Sequence, residues 1–403
     1  MFLFVSTLPE GWGGSEYLWS RTALRLAQQG ESVAASVAFR SQEPAILSEM
    51  STAGVQVIRR HAPPPVPPPA SAVERTRRWV ARKLVSTNRS EPTEQETLQQ
   101  LQPKLVVISQ PTCVEGIEWM LACQQLSIPY VTIAQSCHEM LFHSDEYADA
   151  IEPALCGALR NYFVANDTRV RMENFLARSL PNAEIVRNPF NVSWDTTVPW
   201  PSTDSPLKLA NVARMHIPSK GQEILLQVLS LEKWRRRDVV LDLFGKGPNE
   251  RRLQQLAAKL ELNNVHFHGH VSGIEDIWAE HHALLLPSKY EGLPIALVEA
   301  MLCGRPAVVT NVSGNPEVMQ DGQTGFIAAA PTVNAFDSAM ERLWESRRQL
   351  AAMGQAAGRY IRTRVPADPV GDFADRLLLF SQDSTQGEVA KPREQSVYTN
   401  ETK

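Results

Sequence analysis

The sequence lacks an excess of charge of either sign, closely spaced cysteine pairs and any long apolar run. Its 403 residues carry 40 Lys and Arg against 44 Asp and Glu, a formal net charge of −4. A nucleic-acid-binding domain is expected to be strongly basic, so a nucleic-acid partner has no electrostatic support. The five cysteines fall at 113, 123, 137, 156 and 303, an odd number with no C-x-x-C pair. Neither a disulfide scaffold nor a thiolate zinc site is expected, and a reducing, cytoplasmic compartment fits. No apolar run reaches the ~18 residues of a membrane span. The opening M-F-L-F-V-S-T-L is short and has no basic flank, so it reads as a buried first strand and not as a signal peptide.

Apolar residues make up 43% and charged residues 21%, which is globular composition. The length suggests two to three domains. Short β-branched runs alternate with helical segments, the pattern of parallel α/β sheets. Strands are expected at 2–6, 33–39, 105–109, 130–133, 162–165 and 184–186, then at 208–213, 239–244, 265–268, 283–286, 307–310 and 326–328. The stretch 194–206 is rich in Pro, Ser and Thr and reads as a linker. This divides the chain into a doubly wound domain at 1–193, a second at 207–365, a last apolar helix within 366–383, and a polar tail at 384–403. An insertion at 62–100 interrupts the first domain. It begins with the polyproline stretch 63–69, and a basic amphipathic segment, 75–89, follows. That segment is either a solvated helix or a patch that touches anionic lipid, peripherally at the inner face of the membrane, or an anionic acceptor.

In open α/β sheets, ligands bind beyond the carboxyl ends of the strands. Four strand exits are unusual. E-G-W-G-G-S-E at 10–16 carries Gly13 and Gly14, which let backbone approach a ligand, with Ser15 as an expected N-cap before a helix start that favours an anion. A-R-M-H-I-P-S-K-G-Q at 213–222 places Arg214 and Lys220 on one loop beside a helix start, a pair able to neutralise a diphosphate. F-G-K-G-P at 244–248 frees the backbone at Gly245, with Asn249 as an expected cap. The fourth, L-L-L-P-S-K-Y-E-G-L-P-I-A-L-V-E-A-M-L-C-G-R-P at 284–306, puts Glu291 beside Gly292 on a loop and Glu299 inside an apolar helix. The amides of Gly292, Leu293 and Ile295 are expected to face an anion. A carboxylate among buried apolar neighbours needs a partner, and a ribose diol can be one. Eight residues of helix separate the two acids by about 12 Å of rise, so they are not expected to be the ~5 Å carboxylate pair of a retaining glycosidase.

These residues resemble a known family. E-G-L-P-I-A-L-V-E-A-M at 291–301 is similar to the E-x7-E motif of retaining glycosyltransferases of family 4. The stretch at 213–221, the turn at 244–248, V-H-F-H-G at 265–269, D-G-Q-T-G-F at 321–326 and G-G-S-E at 13–16 fall in that family's order. The resemblance runs through about residues 1–380. It implies the GT-B fold, two Rossmann-like domains facing a central cleft, with a last helix packing back across the domains. It also implies transfer of a sugar from a nucleotide sugar to an acceptor hydroxyl with retention, in polysaccharide or lipid-linked glycan assembly. Arg214 and Lys220 would hold the diphosphate, Glu291 the transferred sugar and Glu299 the ribose. Gly13, Gly14, Gly245, Gly292, Leu293 and Pro294 would line the donor site. His138, in A-Q-S-C-H-E-M, would approach sugar and acceptor, although the family often has His-Asp where this chain has His-Glu. Ser313 in S-G-N-P-E stands where the family tends to have the first of two glycines. No metal and no cofactor beyond the donor substrate are expected. Two alternatives share the fold: an epimerase or hydrolase of nucleotide sugars, and a non-catalytic nucleotide-sugar-binding protein.

Overall fold

The structure, a computed structural model, describes residues 1–40, 43–60, 92–141, 144–202 and 206–383. The polyproline stretch, the basic segment 75–89 and the tail 384–403 lie outside the described residues. Two parallel sheets organise the rest. The first has seven strands, β1 (Phe2–Ser6), β2 (Val33–Ala38), β3 (Gln56–Arg60), β4 (Leu105–Gln110), β5 (Tyr130–Ala134), β6 (Arg160–Phe163) and β7 (Ala183–Ile185), in the spatial order β3-β2-β1-β4-β5-β6-β7. The second has six, β8 (Leu207–Val212), β9 (Val239–Phe244), β10 (Val265–Gly269), β11 (Ala283–Leu286), β12 (Ala307–Thr310) and β13 (Gly325–Ala328), in the order β10-β9-β8-β11-β12-β13.

The burial of the strands follows from the sequence pattern. β1, β2, β4, β5 and β11 are buried along their whole length, as continuous apolar strands must be when helices cover both faces. The chain reverses its direction of winding between β1 and β4 and again between β8 and β11. Those two crevices are where a ligand is expected. The loops leaving β1, β8 and β11 are three of the four singled out above.

The strand missing from the sequence reading is β3, Q-V-I-R-R, at the edge of the first sheet and partly exposed along its length. Residues 94–101, within the expected insertion, form a helix closed by a capping box between Thr93 and Glu96, and its Leu98 joins the core of the first domain. The C-terminal helix Pro369–Asp383 packs against the helix Gly14–Gln28, with Phe373, Ala374 and Leu377 buried in the first domain's core. The 194–202 part of the linker is fastened to the second domain. The buried Arg305 guanidinium donates to the Pro199 carbonyl at 2.5 Å, and Arg362 donates to the Trp194 carbonyl at 2.7 Å.

One expectation about cysteine is overturned. Cys113 and Cys137 are joined by a disulfide, with their Cα atoms 5.3 Å apart. Each follows the end of a strand by three residues, and those strands, β4 and β5, are parallel neighbours. The sheet brings together two residues whose spacing along the chain gives no sign of it.

Candidate active site

The helix that carries Glu299 runs from Ile295 to Leu302, and Glu291 lies on the loop before it. Pro294 occupies its N-cap, one position earlier than the first helical turn suggested by its fixed φ. It ends in a Schellman motif. Gly304, at φ 70°, donates to Met301 at 2.9 Å, and Arg305 donates to Ala300 at 2.8 Å. The loop before it follows the end of β11. Among the described residues none accepts from the amides of Gly292, Leu293 or Ile295.

Glu291 and Lys220 meet here. The Lys220 ammonium donates to both carboxylate oxygens of Glu291, at 2.6 and 2.7 Å, and Ser288 Oγ donates to Oε1 at 2.7 Å. Lys220 closes the short helix Ile217–Lys220, positioned by Gly221 in the left-handed region, where a Cβ would also lie 2.3 Å from the Pro287 carbonyl. Arg214 is exposed at the exit of β8, and its guanidinium has no carboxylate partner among the described residues. The buried Gln222 donates to the Arg214 carbonyl at 2.9 Å and fixes that backbone. His216 lies between the two cations in the chain. Burial first, then Arg214 and Lys220, hold its pKa below the ordinary imidazole value.

Glu299 is 3% exposed and accepts from the Asn191 backbone amide and from Asn191 Nδ2, both at 2.8 Å. Burial pushes its pKa up to about 7 against those two donors. Arg21, on the helix behind the glycine loop, donates to Asn191 Oδ1 at 2.6 Å. Thus Glu299, in the second domain, is held by Asn191 near the end of the first, and Arg21 holds Asn191 in turn.

The first domain completes the crevice. A Cβ on Gly14 would lie 2.7 Å from Ile295 Cδ1, so the glycine loop abuts the start of the Ile295–Leu302 helix. A Cβ on Gly292 would lie 1.9 Å from the Gln135 carbonyl, so only glycine lets the domains approach there. The His138 ring lies 4.0 Å from the ring of Tyr290, next to Glu291. Gly245, at φ 130°, packs against the Ala213 carbonyl and holds the 244–248 turn to the Arg214 loop. Gly13 is the N-cap of the first helix. Leu293 is buried.

The structure therefore brings Glu291, Lys220, Arg214, His138, Gly14, Gly245, Gly292, Leu293 and Pro294 to one region, with Glu299 farther along, in the helix after the loop. Two capping expectations fail. Ser15 does not cap, because the helix begins at Gly14 and the Ser15 hydroxyl turns to Glu16. Asn249 stands at its helix's N-cap position, but its side-chain oxygen accepts from the Ile217 amide at 2.9 Å, tying two site loops together. Sequence reading missed Tyr290, Asn191 and Glu317. Glu317 accepts from the Asp167 amide at 2.9 Å and from Arg187 at 3.3 Å, linking the two domains. Only its place in S-G-N-P-E, two residues after the loop's Asn315, could have drawn attention to it. Among the described residues no group of three or more His, Cys, Asp or Glu is placed to hold a metal ion, and no helix is long and apolar enough to cross a membrane.

Residues 197–360 match the family described as glycosyl transferases group 1. A GDP-mannose-dependent alpha-(1-6)-phosphatidylinositol monomannoside mannosyltransferase of Mycolicibacterium smegmatis is 31% identical over 49% of this chain and 56% of its own. N-acetyl-alpha-D-glucosaminyl L-malate synthase of Bacillus anthracis is 32% identical over 31% of this chain and 37% of its own. The chain thus spans less than two thirds of either relative. The crystal structure of Anabaena HepE in complex with UDP and glucose superposes with a TM-score of 0.70 at 16% identity, over 94% of this chain and 99% of that one. The fold is GT-B, two Rossmann-like domains with parallel sheets.

Proposed function

We propose that this protein is a retaining glycosyltransferase that moves a sugar from a nucleoside-diphosphate sugar to a hydroxyl of a glycan or lipid-linked acceptor. The observation that carries the reading is the convergence of Arg214, Lys220, Glu291 and the amides of Gly292, Leu293 and Ile295 at the β8–β11 crevice. The developing charge on a departing diphosphate needs fixed positive groups, and a site built in advance supplies them without reorganisation. Arg214 and Lys220 take that role. Glu291 faces the transferred sugar, and Glu299 accepts from the ribose hydroxyls. His138, held against Tyr290, lies on the acceptor side. No metal is required, because the two cations and the helix start do what a metal would do.

The relatives support the substrate class, since one uses GDP-mannose and the Anabaena structure holds UDP and glucose. Their difference leaves the nucleotide to experiment. A thermal-shift panel of UDP-, GDP- and dTDP-sugars tests the reading, because a true donor stabilises the fold by mass action. The expected result is a rise with one nucleotide class. No rise with any nucleotide sugar or nucleoside diphosphate at millimolar concentration would refute it.

A further inference from the structure

Ser313 lies on the loop that leaves β12, with φ of 50°. This is the left-handed region, which glycine enters freely and other residues uncommonly. The residue is only 5% exposed, so its conformation is fixed by what surrounds it. Its hydroxyl oxygen accepts from the backbone amide of Glu291 at 3.1 Å. Two more bonds join the end of β12 and its loop to the segment around Glu291. Thr310 Oγ1 donates to the Ser288 carbonyl at 2.5 Å, and the Gly314 amide donates to the Gly292 carbonyl at 2.8 Å. The β12 loop therefore grips the backbone before, at and after Glu291.

A glycine at 313 would hold φ 50° without strain, but would leave the Glu291 amide without its acceptor. Serine accepts the strained backbone and supplies the oxygen. Strain retained beside a reactive group commonly serves function. The effect on the site is specific. The amides of Gly292, Leu293 and Ile295 stay open to an anion, while that of Glu291 is turned back into the protein. With its peptide fixed from behind and Ser288 on Oε1, the Glu291 carboxylate has little freedom except towards Lys220 and the crevice.

We propose that Ser313 is a positioning residue for Glu291: its hydroxyl sets the peptide orientation that aims the Glu291 carboxylate at the sugar being transferred. The catalytic half of this inference rests on the transferase reading above. The test compares full-length wild type, Ser313→Gly and Ser313→Ala by three measurements. These are amide hydrogen exchange resolved at Glu291, thermal denaturation, and release of nucleoside diphosphate from the donor with kcat and KM separated. UDP and GDP serve as binding probes.

Both variants are expected to exchange the Glu291 amide at least tenfold faster than wild type. Both should lose kcat at least tenfold, with the dissociation constant of the bound nucleoside diphosphate changed less than twofold. Ser313→Gly, relieved of strain, should melt above Ser313→Ala while being no more active. If the residue were merely structural, activity would follow melting temperature and the glycine variant would keep wild-type kcat, which would overturn the proposal. Unchanged exchange at Glu291 would overturn it too. Wild type that releases nucleoside diphosphate from no donor would sink the transferase reading and the catalytic half with it. The exchange measurement would still decide whether Ser313 holds Glu291.

Discussion

The ammonium of Lys220 is shared between both carboxylate oxygens of Glu291, at 2.6 and 2.7 Å, while the nearby Arg214 has no carboxylate partner among the described residues. In the proposed reaction the two cations of one loop would therefore act differently. Arg214 can meet a diphosphate directly, whereas Lys220 must share its charge with Glu291. Lys220 is 23% exposed and Glu291 7%, so the pair is largely shielded. Removing one partner of such a pair leaves an uncompensated charge, at a cost of up to about 3–5 kcal/mol. Lys220→Ala is expected to lower both the melting temperature and turnover. Arg214→Ala should cut turnover by about 100-fold or more with the melting temperature unchanged. Thermal denaturation and initial rates on the same preparations separate the two. Equal melting losses in both variants would contradict the assignment.

Glu299 gives a prediction about pH. Its pKa in the folded protein, pushed up to about 7 by burial, exceeds the ordinary value of 4.5. The unfolded chain releases this proton first as pH rises. The associated stability is whole below pH 4.5 and is lost as pH climbs to 7, on the order of 3 kcal/mol. Glu299→Gln should remove that slope, measured by urea denaturation at pH 5 and pH 8. Donor binding should run the opposite way, since the ionised carboxylate is the better acceptor for ribose hydroxyls. Affinity is expected to rise through pH 7 in wild type and to stay flat and weaker in Glu299→Gln, read by calorimetry. An unchanged dissociation constant in the variant would remove the ribose role.

The proposal that no metal is required is also testable. Full turnover in excess chelator is the expected result. Loss of turnover restored by manganese would refute the proposal that Arg214 and Lys220 neutralise the leaving group unaided.

Glu317 and Arg187 yield a prediction about closure. Burial holds the Arg187 pKa below its ordinary value, and Glu317 opposes that shift. Glu317→Ala should leave this guanidinium without its carboxylate and loosen the contact between the domains. Domain closure acts on binding and chemistry together, so kcat and donor affinity should both fall. Small-angle scattering with bound nucleoside diphosphate should give a larger radius of gyration than wild type. Identical scattering and kinetics would show that this contact does not govern closure.

Much of this was legible in the sequence, for physical reasons. A continuous apolar strand such as A-L-L-L at 283–286 is buried on both faces and announces itself by composition. Gly304 and Pro306 mark a helix end because glycine enters the left-handed region freely and proline cannot continue a helix. Arg214, Lys220, Glu291 and Glu299 stood out because charge at strand exits, or inside an apolar helix, calls for a partner. The edge strand β3 was hidden because it is half-exposed and ends in two arginines. The Cys113–Cys137 bridge, the Glu299–Asn191 contact and the Glu317–Arg187 contact depend on how distant segments meet, which spacing does not encode. Ser313 stood out in the sequence only as a departure from a glycine pair, and the bond to Glu291 gives that departure a physical meaning.

The most direct measurement is release of nucleoside diphosphate from a panel of UDP- and GDP-sugars, with and without candidate glycan and lipid-linked acceptors, by wild type and Arg214→Ala. Acceptor-dependent release by wild type, nearly abolished in Arg214→Ala, is the predicted result. Tight binding of a nucleotide sugar without turnover, or release indifferent to the loss of Arg214, would contradict the account.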